Sequence, residues 1–240
     1  MTTLLAFDTS TERMAIALLH GGRVSAHEAA GGAQASAALI PAIRALLEGA
    51  GVQARALDAI AVGRGPGAFT GLRTACAVAQ GYAFGLGKPV LLLDTLMAVA
   101  EGARQRHAAD DVWVAMDARM DEIYAAHYRH AGARWQVRAA PALYAVEALN
   151  RRWQDDAPRA VAGSALQAFG PRLECGRALR LPEALPRADA LASLARAAWQ
   201  DGAGVDAAEA LPLYLRDKVA FTTAEREASK VRQSSGVGRS

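Results

Sequence analysis

The chain has 240 residues, 52% of them hydrophobic and 21% charged, with a formal net charge of +3. That is enough apolar matter for one large core or two small ones and too much for a disordered protein. No run reaches the roughly 18 uninterrupted apolar residues of a spanning helix, so no membrane contact is expected. Cys76 and Cys175 lack CxxC spacing and fit reduced thiols in a cytoplasmic protein.

The charge is unevenly placed. From Arg216 to Ser240 six basic residues (Arg216, Lys218, Arg226, Lys230, Arg232, Arg239) face three acids (Asp217, Glu225, Glu227), which accounts for the whole excess. A neutral body argues against a large nucleic-acid-binding face. The end of the chain reads as a largely disordered tail over 219–240, either a solubilising end or an arm that contacts RNA.

In chain order, Leu4–Phe7 is an apolar run ending at Asp8 and Met14–Leu19 is a second; the polar Thr9–Arg13 between them makes a hairpin. Arg23–His27 follows as a third strand. Ser36–Leu47 carries Leu39, Ile40, Ile43 and Leu46 at helical spacing and closes at Gly49. Leu57–Val62 is a strand, Phe69–Leu86 a helix, Pro89–Leu93 a buried strand, and Thr95 to about Gln105 a helix. This alternation predicts a sheet with parallel pairs covered by helices. A second hairpin then pairs Val112–Met116 with Ile123–Tyr128. Ala115-Met116-Asp117 repeats Ala6-Phe7-Asp8, and the next apolar run begins six residues after each Asp. Two similar lobes are the expectation, against two unrelated hairpins that share an Asp. Val146–Trp153 and Leu166–Leu173 are expected as helices around a strand at Ala160–Ala162. Ala188–Gln200 is an Ala-rich amphipathic helix that would pack back on the first lobe.

The chemistry-bearing residues are few. Asp8, Thr9, Ser10 and Thr11 combine a carboxylate at a strand end with hydroxyls in a tight turn, a set able to hold a magnesium–phosphate group. The turn has no Gly, and an Asp that accepts hydrogen bonds from its own turn is the competing reading. Asp117, the counterpart, can be neutralised by Arg119. Gly63–Arg73 leaves a strand and opens a helix, the context for anion binding, but it lacks Gly-Lys-Ser/Thr, and Pro66 removes a donor. Gly71, Ala75, Ala77, Ala79, Gly81, Ala83 and Gly85 place small residues all round that helix, so one face can lie on the sheet while another admits a neighbouring helix at short range. A partner interface is therefore expected at Arg64, Phe69, Arg73, Ala75, Ala79 and Tyr82. No catalytic residue and no metal ligand is assigned: the five histidines form no HxxxH or HExxH, and His127 and His130 fall in or just after a strand. Ala162-Gly163-Ser164 is a faint candidate for a phosphate loop in a small-molecule kinase or ATPase using Asp8, the alternative function.

Leu5–Thr11, Leu57–Arg73, Val114–Met120 and Pro212–Arg216 together resemble the TsaB (YeaZ) family, in order, from about residue 3 to 218. The resemblance implies an α/β protein of the actin-like ATPase (ASKHA) fold with two ribonuclease-H-like lobes. The first lobe would be 1–106, completed by the helix near 188–201 and the segment to 218; the second, smaller lobe would be 107–187. It also implies a non-catalytic accessory subunit in the formation of N6-threonylcarbamoyladenosine in tRNAs reading A-starting codons. Such a subunit supports the TsaD-type paralogue and, with it, recruits the TsaE-type ATPase. A homodimer is a second arrangement. Contact with tRNA would be indirect or through the basic tail. No cofactor would be tightly bound, and ATP or ADP would belong to the partner complex more than to this chain. TsaD-type proteins bind metal through an HxxxH that here reads Thr95 and Val99, side chains that cannot replace two imidazoles. Two positions depart from the pattern: Ala35, where many relatives have His, and Asp121, where many have Gly.

Overall fold

The computed structural model describes residues 2–216 of the chain; the tail expected over 219–240 lies outside the described residues. Eleven strands and six α-helices follow one another as β1 (Thr3–Asp8), β2 (Arg13–His20), β3 (Arg23–Ala30), α1 (Ala35–Gly49), β4 (Ala59–Gly63), α2 (Phe69–Leu86), β5 (Val90–Leu93), α3 (Thr95–His107), β6 (Asp111–Asp117), β7 (Glu122–Ala131), β8 (Arg134–Ala145), α4 (Val146–Asp155), β9 (Ala160–Ala162), α5 (Ala165–Ala168), β10 (Leu179–Leu181), α6 (Ala188–Gln200) and β11 (Gly204–Val205). β10 and β11, of three and two residues, are too short for alternation to be read, whereas β8, absent from the expected elements, does alternate over Arg134-Trp135-Gln136-Val137-Arg138. Leu166–Leu173, expected as one helix, is the single turn of α5 followed by a 3-10 turn, because Gly170 at φ +53° and Pro171 interrupt it.

The strands form two sheets, ordered β11-β5-β4-β1-β2-β3 and β10-β9-β6-β7-β8. Leaving β11 aside, both have the same order when numbered within their own half: an antiparallel three-strand meander, with two more strands added in parallel beside the first. This is the ribonuclease-H-like order used twice. The chain therefore has the actin-like ATPase fold, and the repeated strand–Asp–turn–strand unit is real: β1 and β2 match β6 and β7.

Alternation along the first sheet decides how each face is covered. Leu5, Phe7, Met14, Ile16, Leu18, Ile60 and Val62 point to one face and meet α1 and α2. Leu4, Ala6, Ala15, Ala17, Ala59 and Ala61 point to the other. Small side chains there let α6, through Ala188, Ala192 and Ala195, lie close against the sheet. The second sheet is covered by α3 on one face, through Leu96, Val99, Ala100 and Ala103, and by α4 and α5 on the other. So α3, although it precedes residue 107, shares its apolar side with the second sheet.

Two buried polar joints tie the halves together. Tyr128 on β7 donates to Asp94 Oδ2 at 2.5 Å, and Asp94 caps α3 by accepting from Leu96 N–H at 2.8 Å. Glu101 on α3 is 1% exposed and accepts from Arg104 on its own helix, from Trp135 Nε1 on β8 at 2.9 Å and from Ser193 Oγ on α6 at 2.8 Å.

Candidate functional site

The first hairpin turn sits at the floor of a cleft between the lobes. Asp8, at the end of β1, is fully buried. Its Oδ1 accepts from Ser10 N–H and Ser10 Oγ–H, both at 2.6 Å, and its Oδ2 accepts from Thr95 Oγ–H at 2.6 Å. Thr95 Oγ1 in turn accepts from Gly65 N–H at 3.1 Å. Burial pushes the Asp8 pKa above its ordinary value, against the opposing pull of the Ser10 and Thr95 hydrogen bonds. Thr9 is buried too, its hydroxyl donating to the Gly71 carbonyl at 2.7 Å. Of the expected phosphate-binding set, only Ser10 and Thr11 line the cleft; Asp8 and Thr9 brace the turn. Thr95 is the Asp8 partner, a role that no sequence spacing signals across a separation of 87 positions.

That turn also explains the most distinctive segment of the sequence. Gly63, Gly67 and Gly71 lie against Asp8, Ser10 and Thr9 respectively. A Cβ at Gly67 would sit 2.6 Å from the Ser10 carbonyl oxygen, and one at Gly63 or Gly71 would overlap the Asp8 carboxylate or the Thr9 carbonyl outright. Glycines spaced by four thus let the hairpin turn press on the start of α2. The Ala68 N–H at that helix start is already bonded to the Ser10 carbonyl at 2.7 Å.

The cleft has a volume of about 770 Å³ and is walled mainly by apolar side chains, among them Pro66, Leu72, Met116 and Tyr124. Its far wall is the second hairpin turn, where Arg119, Met120 and Asp121 hold positive φ of 63°, 56° and 60°, a conformation that costs a non-glycine residue about 1–2 kcal/mol. The expected Asp117–Arg119 pair forms at 3.0 Å. Asp121 is held by a bidentate Arg172 at 2.6 and 2.7 Å, which keeps its carboxyl below the usual range. Gly163, at φ +119°, packs on the Ala115 carbonyl much as Gly63 packs on Asp8, while Ser164 Oγ accepts from Asp117 N–H at 3.1 Å.

Residues Leu211–Arg216 run as a strap from one lobe to the other. Leu213 N–H donates to the Arg64 carbonyl at 2.7 Å. Arg73 lies 3.7 Å over the Phe69 ring, its Nε donates to Tyr214 Oη at 2.9 Å, and the Tyr214 and Phe69 rings are 5.4 Å apart. Arg216 then pairs with Glu122 and donates to the Arg119 carbonyl at 3.2 Å. Arg64, Phe69 and Arg73, expected at a partner interface, are thus engaged by the chain's own strap. Removing the anchor, as Tyr214→Ala, should cost about 1–2 kcal/mol for a half-exposed aromatic and cation–π contact, read from urea unfolding. A midpoint equal to wild type would show that the strap adds nothing.

The other expected interface residues divide. Ala75 and Ala79 are 0% exposed and face the first sheet, so their assignment to a docking face is corrected: the small side chains serve close helix–sheet packing. Tyr82 is partly exposed. The outward stripe of α2 is Ala77, Gly81, Phe84 and Gly85, with Phe84 85% exposed. The neighbouring helix α1, which packs on α2, exposes Ile40 and Arg44. Phe84 is absent from the expected interface, which rested on the small residues of α2; it shares one helix face with Ala77, Gly81 and Gly85.

His127 lies in β7 with Nε2 2.7 Å from Asp111 Oδ1 and its ring stacked on Trp113 at 5.0 Å. Among the described residues no group of three or more His, Cys, Asp or Glu could hold a metal ion, and no helix is long and apolar enough to cross a membrane. Both cysteines are buried, and burial pushes the Cys76 thiol up to about 11.

Residues 24–220 match the family described as "TsaD: tRNA N6-adenosine threonylcarbamoyltransferase". The chain is 35% identical over 223 residues to the tRNA threonylcarbamoyladenosine biosynthesis protein TsaB of Escherichia coli K12, covering 91% of this chain and 96% of that protein. It is 33% identical to the protein of the same name in Haemophilus influenzae, covering 91% and 95%. Among solved structures, YeaZ from Pseudomonas aeruginosa superposes with a TM-score of 0.82 at 42% identity, covering 90% of this chain and all of that one.

Proposed function

The chain belongs to the TsaB (YeaZ) family of tRNA threonylcarbamoyladenosine biosynthesis, and from that premise we propose that it acts as a non-catalytic scaffold for a TsaD-type paralogue. The carrying observation is how Asp8 is used. Both of its oxygens are taken by Ser10 and Thr95, and Gly63 closes over it, so the residue that would position a metal–phosphate group supports its own turn instead. In this reading the complex, and not this chain alone, recruits a TsaE-type ATPase and holds ATP or ADP. A homodimer through the same helices forms when the paralogue is absent.

The docking face in this reading is the outer side of α1 and α2, centred on Phe84. An exposed phenylalanine ringed by small residues is what a helix-on-helix contact buries first. Phe84→Asp should abolish association with the paralogue in a pull-down and in sedimentation, while the melting temperature stays near that of the wild type, because the side chain is already in water. Ala79→Arg should instead unfold the chain by burying an unpaired charge. An intact complex with soluble Phe84→Asp and Gly81→Arg would overturn the assignment of this face.

A further inference from the structure

We propose that the edge of the second sheet, formed by β10, the residues before it and the last turn of α3, docks the sugar–phosphate backbone of tRNA. The proposal rests on the chain's place in a tRNA-modifying complex. The whole-body charge hides a local segregation. Arg180 on β10 and Arg177 just before it are exposed, and Arg159 lies beside them, its carbonyl accepting from Leu179 N–H at 3.0 Å. Among the described residues no carboxylate lies within ion-pair distance of these three, whereas Arg106 and Arg187 nearby are paired with Asp189 and Glu28 at 2.6 and 3.2 Å.

Next to this edge is a second cavity, of about 300 Å³, lined by Ala103, Leu181 and Ala184 and by Arg106 and His107 of α3. Glu183 also reaches the rim. Arg180 alternates with Leu181, so its side chain leaves the sheet on the opposite face, toward Cys175, and the cavity adds an apolar step beside the arginine edge.

A protein partner fits this face less well. A protein interface is built on an apolar or aromatic centre, and here Leu179 is the one large apolar side chain that is substantially exposed. Planar, unpaired arginines on an open sheet edge are suited to wet, charge-driven contact with phosphates. The face also lies on the opposite sheet from α1 and α2, so an RNA and a docked paralogue need not compete.

The test is filter binding of an unmodified tRNA transcript at a series of KCl concentrations, with the full chain alone and with its paralogue. Arg177→Ala/Arg180→Ala should weaken binding about tenfold at low salt, equally for different tRNAs, and lower the slope of log K against log salt by about 1.5. Arg138→Ala/Arg151→Ala removes the same charge elsewhere and should leave the slope unchanged. Equal affinity and slope for wild type and both variants overturns the proposal. So does loss of the paralogue from Arg177→Ala/Arg180→Ala with tRNA binding intact, which would make the edge a protein interface. A slope effect without any association with the paralogue would sink the scaffold reading and leave this one standing.

Discussion

Turnover should vanish when this chain is left out of a reconstitution containing the TsaD-type paralogue, the TsaE-type ATPase, the threonylcarbamoyl donor, ATP and tRNA. In the proposed scaffold role the chain contributes an arrangement and not a reacting group: Asp8 is sealed from solvent and its carboxylate is held by Ser10 and Thr95. Adding Asp8→Asn should restore most of the turnover. Asn keeps an acceptor for Ser10 and can donate to the Thr95 hydroxyl, so the turn survives a change that would remove a metal-positioning carboxylate. Phe84→Asp should restore none. Mass spectrometry of nucleosides from the tRNA reads every arm. Equal turnover without this chain would overturn the scaffold reading, and loss of turnover with a folded, paralogue-bound Asp8→Asn would replace it with a catalytic one.

The largest effect on stability is expected at Glu101. This carboxylate is 1% exposed and receives Arg104 through two donors at 2.9 Å, Gln105 at 2.8 Å, Trp135 at 2.9 Å and Ser193 at 2.8 Å. Glu101→Ala leaves the indole and hydroxyl donors and a half-buried guanidinium without a partner, and breaking a buried pair costs about 3–5 kcal/mol. Urea unfolding would show it, and a cost below about 1 kcal/mol would mean that water replaces the carboxylate. The pH dependence follows from the same contacts. Burial raises the Glu101 pKa, but the hydrogen bonds from Arg104, Ser193 and Trp135 outweigh it, and the folded value lies below the ordinary 4.5. The folded state therefore binds fewer protons than the unfolded one in that window. The stabilisation is complete above the ordinary value and is lost as pH falls through the folded one. Glu101→Gln should remove that part of the acid slope.

Much of this molecule is set by local sequence. Leu4–Phe7 with Asp8, and Val114–Met116 with Asp117, are apolar runs closed by a polar turn, and that pattern alone yields two hairpins and the duplication. The span of α2 is legible to the residue, because Pro66 and Gly67 forbid its extension backwards and Gly87, at φ +62°, ends it. The family was legible too, since Gly63–Arg73 is a segment whose glycines admit little substitution.

What the tertiary structure decided is what each residue touches across long separations. Ala75 and Ala79 look like any small residues on a helix; only the position of the first sheet puts them inside and Phe84 outside. Asp8 could face a phosphate or its own turn by sequence, and the outcome is fixed by Thr95 and Gly63, which come from other strand ends. Glu101 meets Trp135 and Ser193 only because α6 returns to the first sheet, and Arg159, Arg177 and Arg180 come to one edge only when β10 pairs with β9. Periodicity encodes which side of an element is apolar; it does not encode the partner that covers that side, since contacts between distant segments depend on how whole elements pack.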